Sequence, residues 1–287
     1  MSKQRVNHAG QQTILICADD YGLHADVDAA IVDLGERGRL SVTSVLVDAA
    51  ILHRERVMAL QNSPLSAGLH FNLTEKVGDL THEDVQPLGR LIMRSYLGQV
   101  PHTWLQKTID RQLDLYESLF DAPPTYVDGH QHVHQLPGVR QLLLQTLFKR
   151  YGNRKPWLRS TCAVSGLWRA GLRDALKAKV IETLGAHQFV KQAKAVGFLC
   201  NQGFAGVYDF VRPSAPFEVL MQKWLDCAKQ GTLLMTHPSR APIQNDPVGI
   251  ARQREYEVLG SAAFVDWLAQ RQLNLYQGTD VRAVIDD

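Results

Sequence analysis

Two adjacent aspartates offer the first candidate chemistry in this chain of 287 residues. Asp19 and Asp20 lie in the run ADDYG, directly after the apolar run TILICA. Neighbouring carboxylates repel each other unless a cation or a proton lies between them, and one metal ligand and one general base would satisfy that requirement. Capping of a following helix accounts readily for one aspartate and less readily for two. Tyr21, in the same run, is a candidate for contacting a substrate or orienting a ligand.

A histidine-rich run near mid-chain, YVDGHQHVH, contains Asp128, His130, His132 and His134. If this run is extended, its period of two places all four side chains on one face. Alternating histidines behind an acid have few structural explanations, so the pattern favours metal binding, with His130 nearest the strand end as the ligand. Asp128 could accept the second ring proton of a ligand histidine. His132 and His134 are candidates for contacting substrate or supporting the ligands.

Single polar residues end three further apolar runs. His70 lies in GLHFNLT and would by itself be read as structural, while Asn72 shares its strand face and could orient a ligand or a substrate. His237 follows TLLMT and precedes a proline. It is a candidate general acid because histidine titrates in the useful pH range, and a structural role in the turn is an equal alternative. Arg159, at the end of WLRST, is a candidate partner for a carboxylate.

These groups all lie at the ends of predicted strands. Apolar runs alternate with helical patterns, which indicates right-handed βαβ units and a parallel sheet. Strands are predicted at Thr13–Ala18, Val42–Val47, Gly68–Leu73, Thr125–His130, Trp157–Thr161, Ala195–Cys200, Thr232–Thr236 and Asn274–Gln277. Seven or eight such units predict an α/β fold, a distorted TIM-like β/α barrel forming a single domain over residues 1–287, whose working residues lie at the carboxyl ends of the strands. A doubly wound open sheet is the competing architecture.

The intervening segments are predicted from periodicity in the same way. Long helices are expected at Gly171–Lys194 and Arg252–Gln270, where apolar residues recur at helical spacing. The segment from Glu75 to Pro101 has scattered glycine and proline, which predicts an irregular loop over one face of the barrel.

Composition limits the partners of this chain. It has 31 basic and 29 acidic residues, so no basic excess exists to drive binding of nucleic acid or an anionic membrane. The polar amino terminus lacks the apolar core of a signal peptide, and no run approaches the length of a membrane span, so we expect a cytoplasmic protein. Its four cysteines form no CxxC pair and are expected to be reduced thiols. A homodimer is left open.

Together these motifs resemble the YdjC-like carbohydrate deacetylases, the family that includes chitooligosaccharide deacetylase. ADDYG, GLHFNLT, DGHQHVH and the late histidine–proline pair match that family in order and spacing. The resemblance implies a β/α barrel and one divalent metal held by Asp20, His70 and His130. Analogy with the wider polysaccharide deacetylases implies Asp19 as base and His237 as acid. The chain departs from the family form by having glycine at 129 in place of serine and glutamine at 131 in place of histidine.

The implied reaction is metal-dependent removal of an acetyl group from an N-acetylated sugar or a chitooligosaccharide-like substrate. Two imidazoles and one carboxylate suit zinc, nickel or cobalt by ligand preference, whereas the resemblance implies magnesium. An amidohydrolase-type metal hydrolase acting on another amide or ester is an alternative. It is disfavoured because its usual HxH motif after the first strand is replaced here by ADD. A non-catalytic sugar- or metal-binding barrel is a second alternative.

Overall fold

The computed structural model describes residues 11–49, 52–167, 171–278 and 281–285. Residues 1–10, which make up most of the polar amino terminus on which the absence of a signal peptide was predicted, lie outside these ranges, as do Ala50 and Ile51. Eight strands occur in the described parts of the chain: β1 Gln12–Tyr21, β2 Val42–Val45, β3 Ser66–Phe71, β4 Tyr126–Gly129, β5 Trp157–Leu158, β6 Gly203–Ala205, β7 Thr232–Thr236 and β8 Leu273–Leu275.

The helices lie between these strands, except α11, which follows β8. Over the same described ranges they are α1 Ala25–Glu36, α2 Arg54–Asn62, α3 Leu88–Tyr96, α4 His102–Phe120, α5 Val139–Tyr151, α6 Leu172–Thr183, α7 Ala186–Ala195, α8 Phe217–Cys227, α9 Gly249–Gly260, α10 Ala262–Gln270 and α11 Arg282–Ile285. A 3-10 turn over His130–Gln135 follows β4 directly.

The strands form one curved sheet in which β1 to β5 are neighbours in chain order and β7 lies on the other side of β1. The order is β5-β4-β3-β2-β1-β7-β6, all pairings are parallel, and β8 pairs with the beginning of β1. Isolated parallel bridges between Leu158 and Cys200 and between Ala163 and Phe204 link the β5 edge to the β6 edge. The sheet therefore curls into an incomplete barrel, and the predicted α/β fold with seven or eight parallel strands is confirmed.

The apolar core follows from helices that cover the sheet. All residues of β7 and all but the first residue of β1 are buried, as continuous apolar runs in a covered parallel sheet must be. Helix α4 buries Leu105, Ile109 and Leu113, which recur at intervals of four and form one face of the helix. This packing leaves the carboxyl ends of the strands to carry polar groups.

Three predictions of local structure were wrong, and in each case a proline, glycine or serine marks an end of a helix that the periodicity did not predict. The predicted irregular segment 75–101 contains α3, which Pro87 precedes and Gly98, with φ +66°, follows. The predicted sixth strand at Ala195–Cys200 is instead the end of α7 and a turn at Gly197, and β6 begins at Gly203. The two predicted long helices are each two helices, broken at Gly185 and at Ser261, whose hydroxyl caps α10.

No helix among the described residues combines the length and the apolar character that crossing a bilayer requires.

Candidate metal centre and active site

The backbone at the end of β1 is irregular at the two aspartates. The pairing of β1 with β2 shifts register between Ala18 and Tyr21, and Asp20 has φ +71°, in the left-handed region that aspartate tolerates better than most residues. A regular strand would send adjacent side chains to opposite faces. Because of the bulge, the carboxylates of Asp19 and Asp20 both reach one buried polar cluster.

Three ligand-type atoms meet at the carboxyl ends of β1, β3 and β4. Asp20 Oδ1 lies 3.3 Å from His70 Nε2 and 3.3 Å from His130 Nδ1. The two ring nitrogens are also 3.3 Å apart. All three residues are buried or nearly so, and they form a group whose geometry could hold a metal ion. The three residues that the sequence resemblance implied as ligands are thus brought together.

The neutral tautomer of His70 directs the lone pair of its Nε2 atom towards Asp20 Oδ1. Asp128 Oδ1 lies 2.6 Å from His70 Nδ1, and the Ser44 hydroxyl donates to Asp128 Oδ2 at 2.6 Å. A neutral His70 therefore donates its Nδ1–H to Asp128, and Nε2 faces Asp20 Oδ1 as a second acceptor. Asp20 Oδ1 itself is buried without a hydrogen-bond donor in the described part of the chain. Facing acceptors in a buried site call for a proton or a metal cation between them.

Gly68 explains how the β3 motif supports this arrangement. A Cβ atom at Gly68 would lie 2.4 Å from the Tyr126 ring. Since no side chain stands there, the ring packs against β3 and its hydroxyl comes within 2.8 Å of Ser44 Oγ. The glycine of GLHFNLT thus lets the Tyr126 hydroxyl contact Ser44, whose own hydroxyl donates to Asp128.

The balance of buried charge points to the same need. Five charged side chains, each at most 2% exposed, surround the three ligand-type atoms: Asp19, Asp20, Asp128, Arg159 and Arg252. With neutral imidazoles, three carboxylates and two guanidinium groups leave one negative charge uncompensated, which costs several kcal/mol in a buried site. Burial lowers the pKa of His70, but Asp128 and Asp19 raise it to about 10. A proton on His70 or a cation at the three-atom group would restore the balance.

Arg159 holds Asp19 through both carboxylate oxygens. Its Nη1 donates to Oδ2 at 2.7 Å and its Nη2 donates to Oδ1 at 2.6 Å. The same guanidinium lies 2.6 Å from Asp128 Oδ2. Burial raises the pKa of Asp19, but Arg159 outweighs that effect and holds the pKa well below its usual range. Arg159 therefore pairs with a carboxylate of the site, and Asp19 is ionised at neutral pH.

Two residues that the sequence analysis missed lie three positions apart on α9. Arg252 donates from Nη2 to Asp20 Oδ2 at 2.7 Å and from Nε to Asp246 at 2.5 Å. Glu255 accepts the backbone N–H of His237 at 2.5 Å and the hydroxyl of Tyr208 at 2.7 Å. An Arg and a Glu at this spacing are common on exposed helices, so only their complete burial distinguishes them, and a sequence pattern does not report it.

His237 lies beside Asp19. Its Nε2 is 4.0 Å from Asp19 Oδ2, and its ring stacks edge-on against Phe210 at 5.1 Å between centroids. Its Nδ1 is buried without a partner among the described residues. Burial lowers the pKa of His237 to about 4 although Asp20 and Asp19 oppose the shift, so the imidazole is neutral at pH 7.

The prediction that Asp128, His130, His132 and His134 share one extended face was wrong. The strand ends at Gly129, and Gln131 and His132 have φ values of 52° and 61° within the 3-10 turn. His134 contacts the carbonyl oxygen of Arg159 through Nε2 at 3.0 Å, and His132 packs edge-on against Phe204. The chain turns sharply, so His130 alone of the three histidines joins the metal-type group.

Asn72 and Tyr21 make local contacts. Asn72 accepts the backbone N–H groups of Thr74 and Glu75 and donates to the Glu75 carbonyl, which holds the loop after β3. The Tyr21 hydroxyl donates to the Arg56 carbonyl at 2.7 Å. Both polar ends are therefore committed to backbone. The loop held by Asn72 brings the Glu75 carboxylate to 3.8 Å from His130 Nε2.

Comparison with known proteins agrees with the motifs. The chain is 34% identical over 152 residues to a carbohydrate deacetylase of Mus musculus, a match covering 49% of this chain and 48% of the mouse protein. It is 28% identical over 142 residues to a chitooligosaccharide deacetylase of Yersinia enterocolitica, covering 46% and 54% respectively. The chain spans about half the length of the curated relatives it matches.

The fold has a known counterpart as well. A crystal structure of an Enterococcus faecalis protein named for cellobiose-phosphate cleavage superimposes with a TM-score of 0.68 at 17% identity, covering 94% of this chain and 98% of that one. The family model described as YdjC-like protein matches residues 13–270, which include every strand end described above except that of β8. The chain therefore belongs to the YdjC-like protein family.

Proposed function

We propose that this protein is a metal-dependent hydrolase that removes an acetyl group from an N-acetylated sugar of the chitooligosaccharide type. The observation that carries the proposal is the group formed by Asp20 Oδ1, His70 Nε2 and His130 Nδ1, mutually 3.3 Å apart and next to Asp19. The substrate class follows from relatives named carbohydrate deacetylase and chitooligosaccharide deacetylase, which match half of the chain.

We propose Asp20, His70 and His130 as the ligands of one divalent metal. The donor set of two imidazoles and one carboxylate would suit Zn²⁺ by ligand preference. The family resemblance implies Mg²⁺, so reconstitution of the metal-free protein with each ion is the deciding comparison.

When bound, the cation would acidify a water molecule and polarise the acetamide carbonyl. Asp19, ionised and held by Arg159, takes the proton of the attacking water as the new carbon–oxygen bond forms. Arg159 lowers the pKa of Asp19, so Asp19 does not retain this proton. The proton passes to the neutral His237, whose Nε2 lies 4.0 Å from Asp19 Oδ2. His237 then donates it to the amine nitrogen as the carbon–nitrogen bond breaks, and acetate and an amino sugar result.

Two residues of α9 support the proposed metal ligand Asp20 and the proposed acid His237. Arg252 occupies Asp20 Oδ2, so that only Oδ1 faces the two imidazoles. Glu255 holds the backbone N–H of His237, which orients the turn that carries the acid. Neither residue touches the reacting atoms, and we propose both as positioning residues.

The test is release of acetate from N,N′-diacetylchitobiose by the full chain, before and after removal of metal by a chelator. We expect release that stops on chelation and returns when Zn²⁺ or Mg²⁺ is added. The Asp26→Asn variant, altered at the half-exposed start of α1, serves as a matched control with unchanged release. Acetate release that persists without metal would overturn the proposed role of the cation.

The two alternatives give other results in the same assay. An amidohydrolase-type enzyme would leave N-acetylated sugars intact and cleave a different amide or ester in a metal-dependent way. A non-catalytic barrel would bind metal or sugar without any release of acetate.

A further inference from the structure

A thiol, an imidazole and a carboxylate meet outside the proposed active site. Cys162 follows β5, while Glu182 and His187 flank the junction of α6 and α7. Cys162 Sγ lies 3.5 Å from His187 Nδ1, and His187 Nε2 lies 2.9 Å from Glu182 Oε1. The three residues offer ligand-type atoms within 4.8 Å of one another. None of them has a part in the deacetylation proposed above.

The backbone that carries these side chains is held by the buried side chain of Gln135. Its amide donates to the Ile181 carbonyl at 2.7 Å and its oxygen accepts the Thr161 hydroxyl. Ile181 and Thr161 directly precede Glu182 and Cys162. Gly185 packs so closely that a Cβ atom there would lie 2.4 Å from the Gln135 carbonyl oxygen. The spacing of the cluster is therefore set by the fold and does not depend on flexible side chains alone.

Charge balance assigns Glu182 a supporting part. Its second oxygen pairs with Lys179 at 2.6 Å, so its negative charge is already compensated. Its first oxygen lies 2.9 Å from His187 Nε2. The tautomer that carries its proton on Nε2, beside this carboxylate, leaves the Nδ1 lone pair on the side of the Cys162 thiol, as in metal sites where a carboxylate orients a ligand histidine.

We propose that Cys162 Sγ and His187 Nδ1 form a second binding site for a thiophilic divalent cation such as Zn²⁺, with Glu182 orienting the imidazole. In a tetrahedral site with a metal–sulfur distance of about 2.3 Å and a metal–nitrogen distance of about 2.0–2.1 Å, the two ligands lie about 3.5 Å apart. The observed Sγ to Nδ1 distance is 3.5 Å.

Access and proton balance are consistent with a site that binds reversibly. The His187 side chain is 70% exposed and Cys162 is half-buried, so an ion can enter from solvent. Burial raises the pKa of the Cys162 thiol, so the thiol gives up its proton to solvent when the metal–sulfur bond forms. Affinity therefore increases with pH. Two protein ligands leave two positions open to water or to an added ligand.

The test uses Cd²⁺ as the probe, because its bond to a thiolate produces an ultraviolet charge-transfer band. The Asp20, His70 and His130 group contains no sulfur, but Cys17 Sγ lies 3.3 Å from Asp19 Oδ1, so the Cys162→Ser variant decides whether the band arises at the second site. We expect a saturable band on titration of the full chain under a non-thiol reductant. The band should be absent in Cys162→Ser and unchanged in the matched control Cys200→Ser, which alters a buried cysteine. Glu182→Gln should weaken Cd²⁺ binding about tenfold.

Acetate release measured on the same variants keeps this proposal separate from the deacetylase proposal, since Cys162→Ser should retain it. Absence of the band in the wild-type protein, or its persistence in Cys162→Ser, would overturn the proposed site. Equal Cd²⁺ affinity in the wild type and in His187→Ala would also overturn it, because the thiol would then bind the ion without the imidazole.

Discussion

Asp19 and Asp20 are neighbours in the chain, and each is paired with a buried arginine, but the two pairings leave different atoms free. Arg159 holds both oxygens of Asp19. Arg252 holds only Oδ2 of Asp20, and Oδ1 faces the ring nitrogens of His70 and His130. Both oxygens of Asp19 contact an arginine, whereas Asp20 keeps one oxygen that contacts no arginine.

A buried carboxylate that pairs with arginine is therefore not structural on that ground alone. A bidentate guanidinium satisfies both oxygens and favours the ionised form. A single contact fixes the orientation of the carboxylate and leaves one oxygen for another cation. The proposed base and the proposed ligand thus differ in how many of their oxygens arginine occupies, although their residue type and burial are the same.

Removing the negative charge of Asp20, whose Oδ1 faces the two imidazoles, should change metal binding and activity the most. In Asp20→Asn the three-atom group loses its only anion, so we expect bound metal to fall to a small fraction of the wild-type content and acetate release to be undetectable. Elemental analysis of the purified variant and the acetate assay check this. Arg252 keeps its contact to Asp246, which favours a folded variant, and circular dichroism verifies it. Normal metal content in this variant would contradict the proposal that Asp20 is a metal ligand.

Replacing the carboxylate of Asp19 should lower turnover without lowering metal binding. In Asp19→Asn the metal content should equal that of the wild type, because Asp19 Oδ1 and Oδ2 both face Arg159. Turnover should fall about 10²–10⁴-fold, the usual contribution of a general base. If instead metal content and turnover fall together, the two aspartates do not have separate roles.

A pH experiment tests the α9 side of the site. Burial raises the pKa of Glu255 to about 7 from an ordinary value of 4.5. Between these values the unfolded chain has released the proton that the folded chain still keeps, so the stability contributed by Glu255 falls as pH rises. Relative to the wild type, Glu255→Gln should gain about 3 kcal/mol in its free energy of unfolding between pH 4.5 and 7.5.

Denaturant unfolding of both proteins at several pH values measures this difference. Glu257→Gln, on the more exposed face of the same helix, is the control and should show no such trend. A flat difference between Glu255→Gln and the wild type would mean that Glu255 is ionised throughout the folded range.

Removing the contact between Arg252 and Asp20 Oδ2 should have a smaller effect than the changes above. Arg252→Gln removes the charge that orients the carboxylate but leaves the three proposed ligands, so we expect metal affinity to fall about 10–100-fold. Competition with a chromogenic chelator measures it, and the exposed Arg254→Gln on the same helix is the control. Unchanged affinity would show that the bulge at Asp20 orients the carboxylate without help from Arg252.

Much of the fold could be predicted because its determinants are local. The buried runs of β1 and β7 and the periodic face of α4 read directly as strand and helix. The run HQHVHQ could not be read in this way, because its alternation suits a strand while its backbone turns through left-handed conformations at Gln131 and His132. Such a turn depends on packing, here of the His134 ring between Gly129 and Phe189.

The family, the parallel α/β architecture and the motifs at the ends of the strands could all be read from the sequence, since each depends on residue type and spacing along the chain. The three-dimensional packing was needed to show which oxygen of Asp20 contacts no arginine, that Arg252 and Glu255 on α9 reach the site, and that Cys162 and His187 lie within contact distance. These are relations between residues as far as 232 positions apart, and the packing of the sheet and its covering helices sets them.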